Sequence, residues 1–82
     1  MSKIKVIVQN STGLIWSGEG DNCSMINSLG PFDILAEHTQ FVTPIQGDII
    51  VRDSTQIIWQ HSLVTSALCR VKNNQVEIWI GV

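Results

Sequence analysis

"SALCRVKNNQVEIWIGV", Ser66–Val82, is the stretch whose reading decides the fold. Two runs rich in β-branched and apolar residues flank "KNN". Such runs favour the pleated, half-buried surface of a sheet. Asparagine tolerates the positive φ that tight hairpin turns need, so "VKNNQV" predicts a β-hairpin. Working outward, "DIIVRD" and "TQIIWQHSLV" repeat the pattern around "DST". At the other end Ile4, Val6 and Val8 alternate with Lys3, Lys5, Ile7 and Gln9, a period of two that reads as a strand. "NSTG" (Asn10–Gly13) is a turn cluster, followed by "LIWSGEG" and a short run around Cys23–Ile26. "SLGP" (Ser28–Pro31) is the next break. Pro31 cannot donate to a ladder and marks a loop or an edge.

The stretch "FDILAEHTQFVTPIQG", Phe32–Gly47, is the hardest to place. Its helical period is too short to sustain a helix, and it closes on a proline and a glycine. It reads as a strand end plus an irregular loop. Short strands spaced by roughly 8–12 residues, with turn signals between them, predict an all-β fold. The expected form is a small antiparallel β-sandwich or flattened barrel of two packed sheets, with residues 1–82 as one domain.

With 82 residues the chain buries only a little more than about 60% of the surface its unfolded form exposes, so its core must be efficient. No apolar run approaches the roughly 18 residues of a membrane span. The basic N-terminus alternates like a strand and is too short for a signal peptide. A soluble, cytosolic chain is expected, with no direct membrane insertion. The formal net charge is -2, and the five cations, Lys3, Lys5, Arg52, Arg70 and Lys72, are scattered. Nucleic acid is bound largely through phosphate contacts, so this balance argues against it as a partner. Without a secretory signal, Cys23 and Cys69 read as two small, half-buried thiols.

Chemistry finds little support. There is no G-x-S-x-G elbow for a nucleophilic triad. Cys23, His38, His61 and Cys69 are singletons, without the paired spacing of a zinc site. "SGEGDN" lacks the Lys-Ser/Thr of a phosphate loop. Asp33 and Glu37 stand four apart, and acid–base work by two carboxylates needs a cleft. No catalytic, metal or cofactor site is expected, and the chain is expected not to be an enzyme. His61 shares parity with Ile57 and Trp59 and reads as a hydrogen-bonded histidine at the edge of the core. Trp59 and Trp79 read as core more than contact, although tryptophan is also enriched at interface hot spots.

Four segments in order resemble one family: "GLIWSGE" (Gly13–Glu19), "GPFDILAEHTQFVT" (Gly30–Thr43), "GDIIVRD" (Gly47–Asp53) and "SALCRVKNNQVEIWIG". They look like the N-terminal β-sandwich of the ATP synthase epsilon subunit. That family shows a G-x-V-F-S-G-E strand, an E-G-E-F-G-I-L-P-G-H-A-P-L-L-T loop, a glycine-led strand and a close on S-G-G-F-L-E-V…N-x-V-T-V-L. Each motif alone is weak; four in register are fairly specific. The chain departs from the pattern in places. Leu29 and Pro31 stand where the family has glutamates flanking Gly30, and Asp33 replaces a glycine. Ala36 and Glu37 replace Pro-Gly, Ser66 and Ala67 replace Gly-Gly, and Arg70 replaces a glutamate.

The resemblance implies a central-stalk rotor subunit of an F-type ATP synthase, linking the gamma shaft to the c-ring of the membrane sector so that ion-driven rotation is coupled to ATP synthesis. His38, Thr43 and Arg70 would face gamma. Gly30, Pro31, Phe32 and Asp33 would face the ring. The loss of the family's acidic residue at Pro31 puts that contact in question, with Asp33 and Glu37 as neighbouring sources of charge. The location implied is the cytoplasmic face of an energy-coupling membrane, peripheral, most simply a bacterial plasma membrane. Many family members carry a C-terminal helical hairpin that inhibits ATP hydrolysis and in some binds ATP. The chain stops at Val82, so neither helix-mediated inhibition nor a nucleotide site is expected of it. Two rivals stand beside this reading. One is a free-standing small β-barrel binding a protein or nucleic acid, which for nucleic acid would need a basic groove. The other is a small hydrolase, which would need a cysteine and a histidine meeting in an open cleft.

Overall fold

A computed structural model describes residues 3–37 and 40–81. Eight strands follow one another: β1 (Ile4–Asn10), β2 (Gly13–Gly20), β3 (Asn22–Asn27), β4 (Gly30–Ile34), β5 (Phe41–Asp53), β6 (Gln56–Ser62), β7 (Ala67–Lys72) and β8 (Gln75–Ile80). No helix occurs among the described residues. The fold is all-β and of the sandwich type. One layer runs β2-β1-β8-β7 and ends on the first half of β5. The other joins the second half of β5 to β3, β4 and β6. Pairing is antiparallel except between β1 and β8, which run parallel and set the first and last strands side by side.

The turns follow their side-chain chemistry. Asn73 and Asn74 take φ of 53° and 59° in the β7–β8 hairpin, as "KNN" predicts. Ser54 and Thr55 do the same between β5 and β6, at φ of 51° and 69°. A β-branched threonine resists this conformation, and the turn is held by the Ser54 N–H donating to Asp21 Oδ2 at 2.9 Å. Asn10 and Asn27 each accept from the backbone two residues on, from Thr12 N–H and Leu29 N–H, both at 2.9 Å. These Asx turns close the β1–β2 and β3–β4 hairpins.

The main correction concerns Phe32–Gly47. Between β4 and β5 the described residues 35–37 and 40 belong to no strand, and residues 38 and 39 lie outside the described residues. From Phe41 the chain runs as one thirteen-residue strand shared by both layers. Along Phe41–Ile45, β5 pairs with β7 and its other side carries no ladder, an edge-like setting in which a proline is tolerated. The strand turns from one layer to the other at Gly47, whose φ of +70° suits glycine. Pro31 lies on the edge strand β4, paired only with β3.

Inward parity from the two layers meets in one core. Ile4, Val6, Val8, Cys69, Val71, Val76 and Ile78 face Cys23, Met25, Ile34, Ile49 and Val51. Cys23 and Cys69 are fully buried, more so than the sequence suggests. Burial pushes both thiols up to about 12. One edge of the sandwich is plugged by stacked rings. Trp16 of β2 lies at 5.1 Å and 8° to Trp59 of β6, and Trp59 lies at 5.6 Å and 6° to His61. Val8, Val51 and Ile49, the ladder partners of Trp16, Trp59 and His61, are buried, so all three rings face inward. Ile57 does not share their face. The register slips between Val51 and Arg52, and Ile57 and Ile58 are both exposed.

Candidate docking surfaces

The outward parity of the first layer builds a broad face. Because Val6, Val8, Cys69, Val71, Val76 and Ile78 point in, their neighbours point out. Cross-strand register then aligns them in two rows. One row reads Val42, Arg70, Glu77, Ile7 and Ser17. The next reads Pro44, Leu68, Trp79, Gln9 and Leu14. Leu14 is 65% exposed and Val42 57%. Arg70 is the charged centre. Its Nε donates to Glu77 Oε1 at 3.1 Å, its terminal nitrogen donates to the same oxygen, and its guanidinium sits 5.7 Å from the centre of the Trp79 ring. The face therefore combines apolar residues with one ion pair whose guanidinium lies over a tryptophan. Trp79 belongs to this outer face, whereas Trp59 packs inward, so the two tryptophans divide between outer face and core.

Thr43 points the other way from Arg70. It lies opposite the buried Cys69, and its hydroxyl accepts from Asn27 Nδ2 at 3.3 Å and donates to the Pro44 carbonyl at 3.1 Å. The two residues share neighbouring strands but not a face. His38 lies outside the described residues.

The second set, Gly30 to Asp33, forms most of edge strand β4. Gly30 takes φ +118° at the hairpin end, and Pro31 is exposed. Phe32 turns inward and meets Phe41 edge to face, at 6.1 Å and 65°. Asp33 is exposed but engaged: the Ser24 hydroxyl donates to its Oδ1 at 2.5 Å, and Arg52 Nη1 donates to Ser24 Oγ at 2.9 Å. Glu37 does not stand beside it. The Glu37 N–H donates to Asn74 Oδ1, which places it against the β7–β8 turn, past the far end of β4 from Pro31.

Little here suits bond-making chemistry. The two thiols are sealed in the core and held protonated, and the His61 ring lies flat against Trp59. Among the described residues no three His, Cys, Asp or Glu side chains stand together as a metal site. No helix among them is long and apolar enough to cross a membrane. Sequence reading singled out Arg70 through resemblance and did not anticipate the outward row it stands in. The signal was present: Trp79 and Leu68 share parity with Arg70 and Glu77 once the hairpin register is fixed.

Comparison with known proteins adds a family. The family described as "ATP synthase, Delta/Epsilon chain, beta-sandwich domain" matches residues 3–81. ATP synthase epsilon chains from three strains of Clostridium perfringens are 27% identical over 81 residues, covering 99% of this chain and 61% of theirs. The chain thus spans about three fifths of the length of these relatives. Among solved structures, one titled as the central stalk and c-ring of the Tetrahymena thermophila mitochondrial ATP synthase contains a similar chain. It aligns with TM-score 0.72 at 12% identity, over 96% of this chain and 63% of the other, a likeness of fold.

Proposed function

The chain belongs to the ATP synthase delta/epsilon-chain β-sandwich family, and from that premise we propose that it is a non-catalytic rotor subunit joining the gamma shaft to the c-ring. The observation that carries this reading is the outer face centred on Arg70, Glu77 and Trp79. A small domain that leaves Val42, Pro44 and Leu14 exposed, with Leu68 and Trp79 half-buried beside them in adjacent rows, has a surface fit for burial against a partner. Tryptophan and arginine are the residue types that dominate interface energetics. We assign this face to gamma, with Arg70 at its centre; the resemblance adds His38, while Thr43 lies on the opposite side of β5 and is left out of this face. The edge Gly30–Asp33 is assigned to the ring. A standard interface buries roughly 800 Å² per partner. Two of them would cover about a third of the 4905 Å² surface.

The mechanism is mechanical. Torque generated at the ring passes through the sandwich to the shaft, and so to the catalytic head. Rigidity is what the task needs. A two-layer sheet with one continuous core supplies it, since such cores are close-packed and deform little. Bound in this way, the protein sits peripherally at an energy-coupling membrane, on the side of the catalytic head. The cations are poorly placed for nucleic acid. Arg70 is paired with Glu77, Lys3 with Asp53 at 2.5 Å, and Arg52 with Ser24.

Co-elution of the chain with the gamma subunit of the same organism tests the reading. A one-to-one complex by light scattering is expected. It should weaken roughly a hundredfold on Trp79→Ala, the loss typical of a hot-spot residue. Separate elution at micromolar concentration, or full binding by Trp79→Ala and Arg70→Glu together, would remove the shaft from this face.

A further inference from the structure

We propose that the free edge of β6 pairs with the same edge of a second copy of this chain, antiparallel about a twofold axis at Gln60. The proposal goes beyond the rotor reading and does not depend on it. Among the described strands β6 borders β5 alone, so its other side presents a row of backbone N–H and C=O groups with no ladder. Such a row is a template for another strand. Edges are commonly guarded by Lys, by proline or by an inward-pointing charge, and β6, Gln-Ile-Ile-Trp-Gln-His-Ser, holds none of these. Its one guard is the register slip beside Ile58. Past the slip, residues 59–62 run in regular register with Val51, Ile50, Ile49 and Asp48. The charges on the neighbouring strand are held elsewhere. Asp48 accepts from the Ser62 hydroxyl at 2.7 Å, and Arg52 donates to Ser24 at 2.9 Å.

The second copy is favoured because the edge is complementary to itself. Exposed aliphatics stand at both ends of the strand. Ile57 and Ile58 are 53% and 42% exposed at its start, and Val64, two residues past its end, is 94% exposed. Antiparallel pairing about Gln60 brings the start of one copy to the end of the other. Ile57 and Ile58 then lie beside residues 62–64 of the second copy, and the contact occurs twice.

The axis position follows from the side chains. At Gln60 two amides meet, and each carries both a donor and an acceptor for the other. On the inner side Trp59 stands opposite His61 of the second copy, which joins the two ring stacks into one. An axis at Trp59 would leave Val64 unmatched, and one at His61 would set imidazole against imidazole. With no charge on β6, two chains of net charge -2 meet along it without a like-charge pair.

Light scattering of the chain alone, over a range of concentrations, should show a dimer with Kd on the order of 10 µM, as suits a small, transient interface. Cysteine pairing then reads the register. In Gln60→Cys the two Cα atoms lie about 5 Å apart across the axis, a separation that a disulfide spans. Treatment with a thiol oxidant should give a covalent dimer. In Gln56→Cys the two copies of that residue stand about 27 Å apart, and no dimer should form. Cys23 and Cys69 are sealed in the core and stay out of the reaction. Val64→Glu should weaken the dimer at least about tenfold. All three positions are exposed, and an unchanged urea midpoint verifies that the variants fold. A chain that stays monomeric up to about 1 mM would overturn the proposal. So would equal cross-linking at 56 and 60, or a dimer that Val64→Glu leaves intact. The outer face around Arg70 lies off this edge, so adding the gamma subunit should leave the Gln60→Cys cross-link in place. Its loss would give the edge to that partner and overturn the second copy.

Discussion

The stacked rings at the β2–β6 edge make a prediction that can be worked through from geometry. Trp16 and Trp59 lie parallel at 5.1 Å, inside the range where aromatic pairs couple by about 0.5–1.5 kcal/mol beyond their buried area. Beneath Trp16 lies Gly18, where an added Cβ would sit 2.6 Å from Trp16 Cζ2 and 2.8 Å from Cη2. Gly18→Ala therefore cannot be accommodated without moving the indole off Trp59. The expected cost is about 1–2 kcal/mol, the stacking loss together with a modest overpacking strain. In the Trp59→Leu background the indole has no partner to leave, and the same substitution should cost roughly 1 kcal/mol less. Urea denaturation of the four proteins reads the coupling directly, and near-ultraviolet circular dichroism reports whether the rings still stack. A domain of this size has about 4–12 kcal/mol of stability in total, so the difference is measurable. Additivity within about 0.3–0.5 kcal/mol would refute the reasoning, because distant, independent sites behave that way. It would mean that Trp16 escapes Gly18 without disturbing Trp59.

Further expectations concern the core and the edges. The core thiols titrate near 12 in the folded protein, against an ordinary value of 9.0. Between these values the unfolded chain releases protons that the folded chain keeps, so stability is complete below about pH 9 and falls as pH rises toward 12. The slope is up to about 1.4 kcal/mol per pH unit for each thiol. Denaturation of Cys23→Ala/Cys69→Ala should show a flatter alkaline limb, and an unchanged limb would place the cause elsewhere. Strand β6 reads Gln-Ile-Ile-Trp-Gln-His-Ser, with no proline, Lys, Asp or Glu, and it exposes Ile57 and Ile58 beside an unpaired edge. Such an edge invites strand pairing between copies. Ile58→Lys should suppress concentration-dependent association in light scattering while leaving the urea midpoint within about 0.5 kcal/mol. Equal association by both proteins would exonerate this edge.

The element inventory was legible because strands and turns are local. Alternation in Ile4–Val8 and the paired asparagines at 73 and 74 act over a few residues, and the backbone obeys them. The extent of β5 was not legible. Pro44 and Gly47 are breakers by local chemistry, yet each is tolerated for a non-local reason: one lies where the strand has a single ladder, the other where it changes layer. The facing of the tryptophans was hidden for a related cause. Trp59 and Trp79 both sit among Ile residues, so both faces of their strands look apolar and parity alone cannot select one. A register slip beside Trp59 then breaks the parity with Ile57. Arg70 and the Gly30–Asp33 edge were singled out through resemblance, whereas the outward rows around Arg70 gave no signal, because they exist only once the ladders between β5, β7, β8 and β1 set the register.

By itself, then, the sequence determined an all-β chain, acidic and without a charge stripe, turning at its asparagines and matching one family in register. Tertiary structure decided which residues lie side by side. It placed β1 parallel to β8, aligned Trp79 with Leu68 and Pro44, and set Asp33 and Glu37 apart. The physical reason is that faces and neighbours depend on ladder register and layer crossing between segments distant in the chain. Propensity and turn chemistry act only along it.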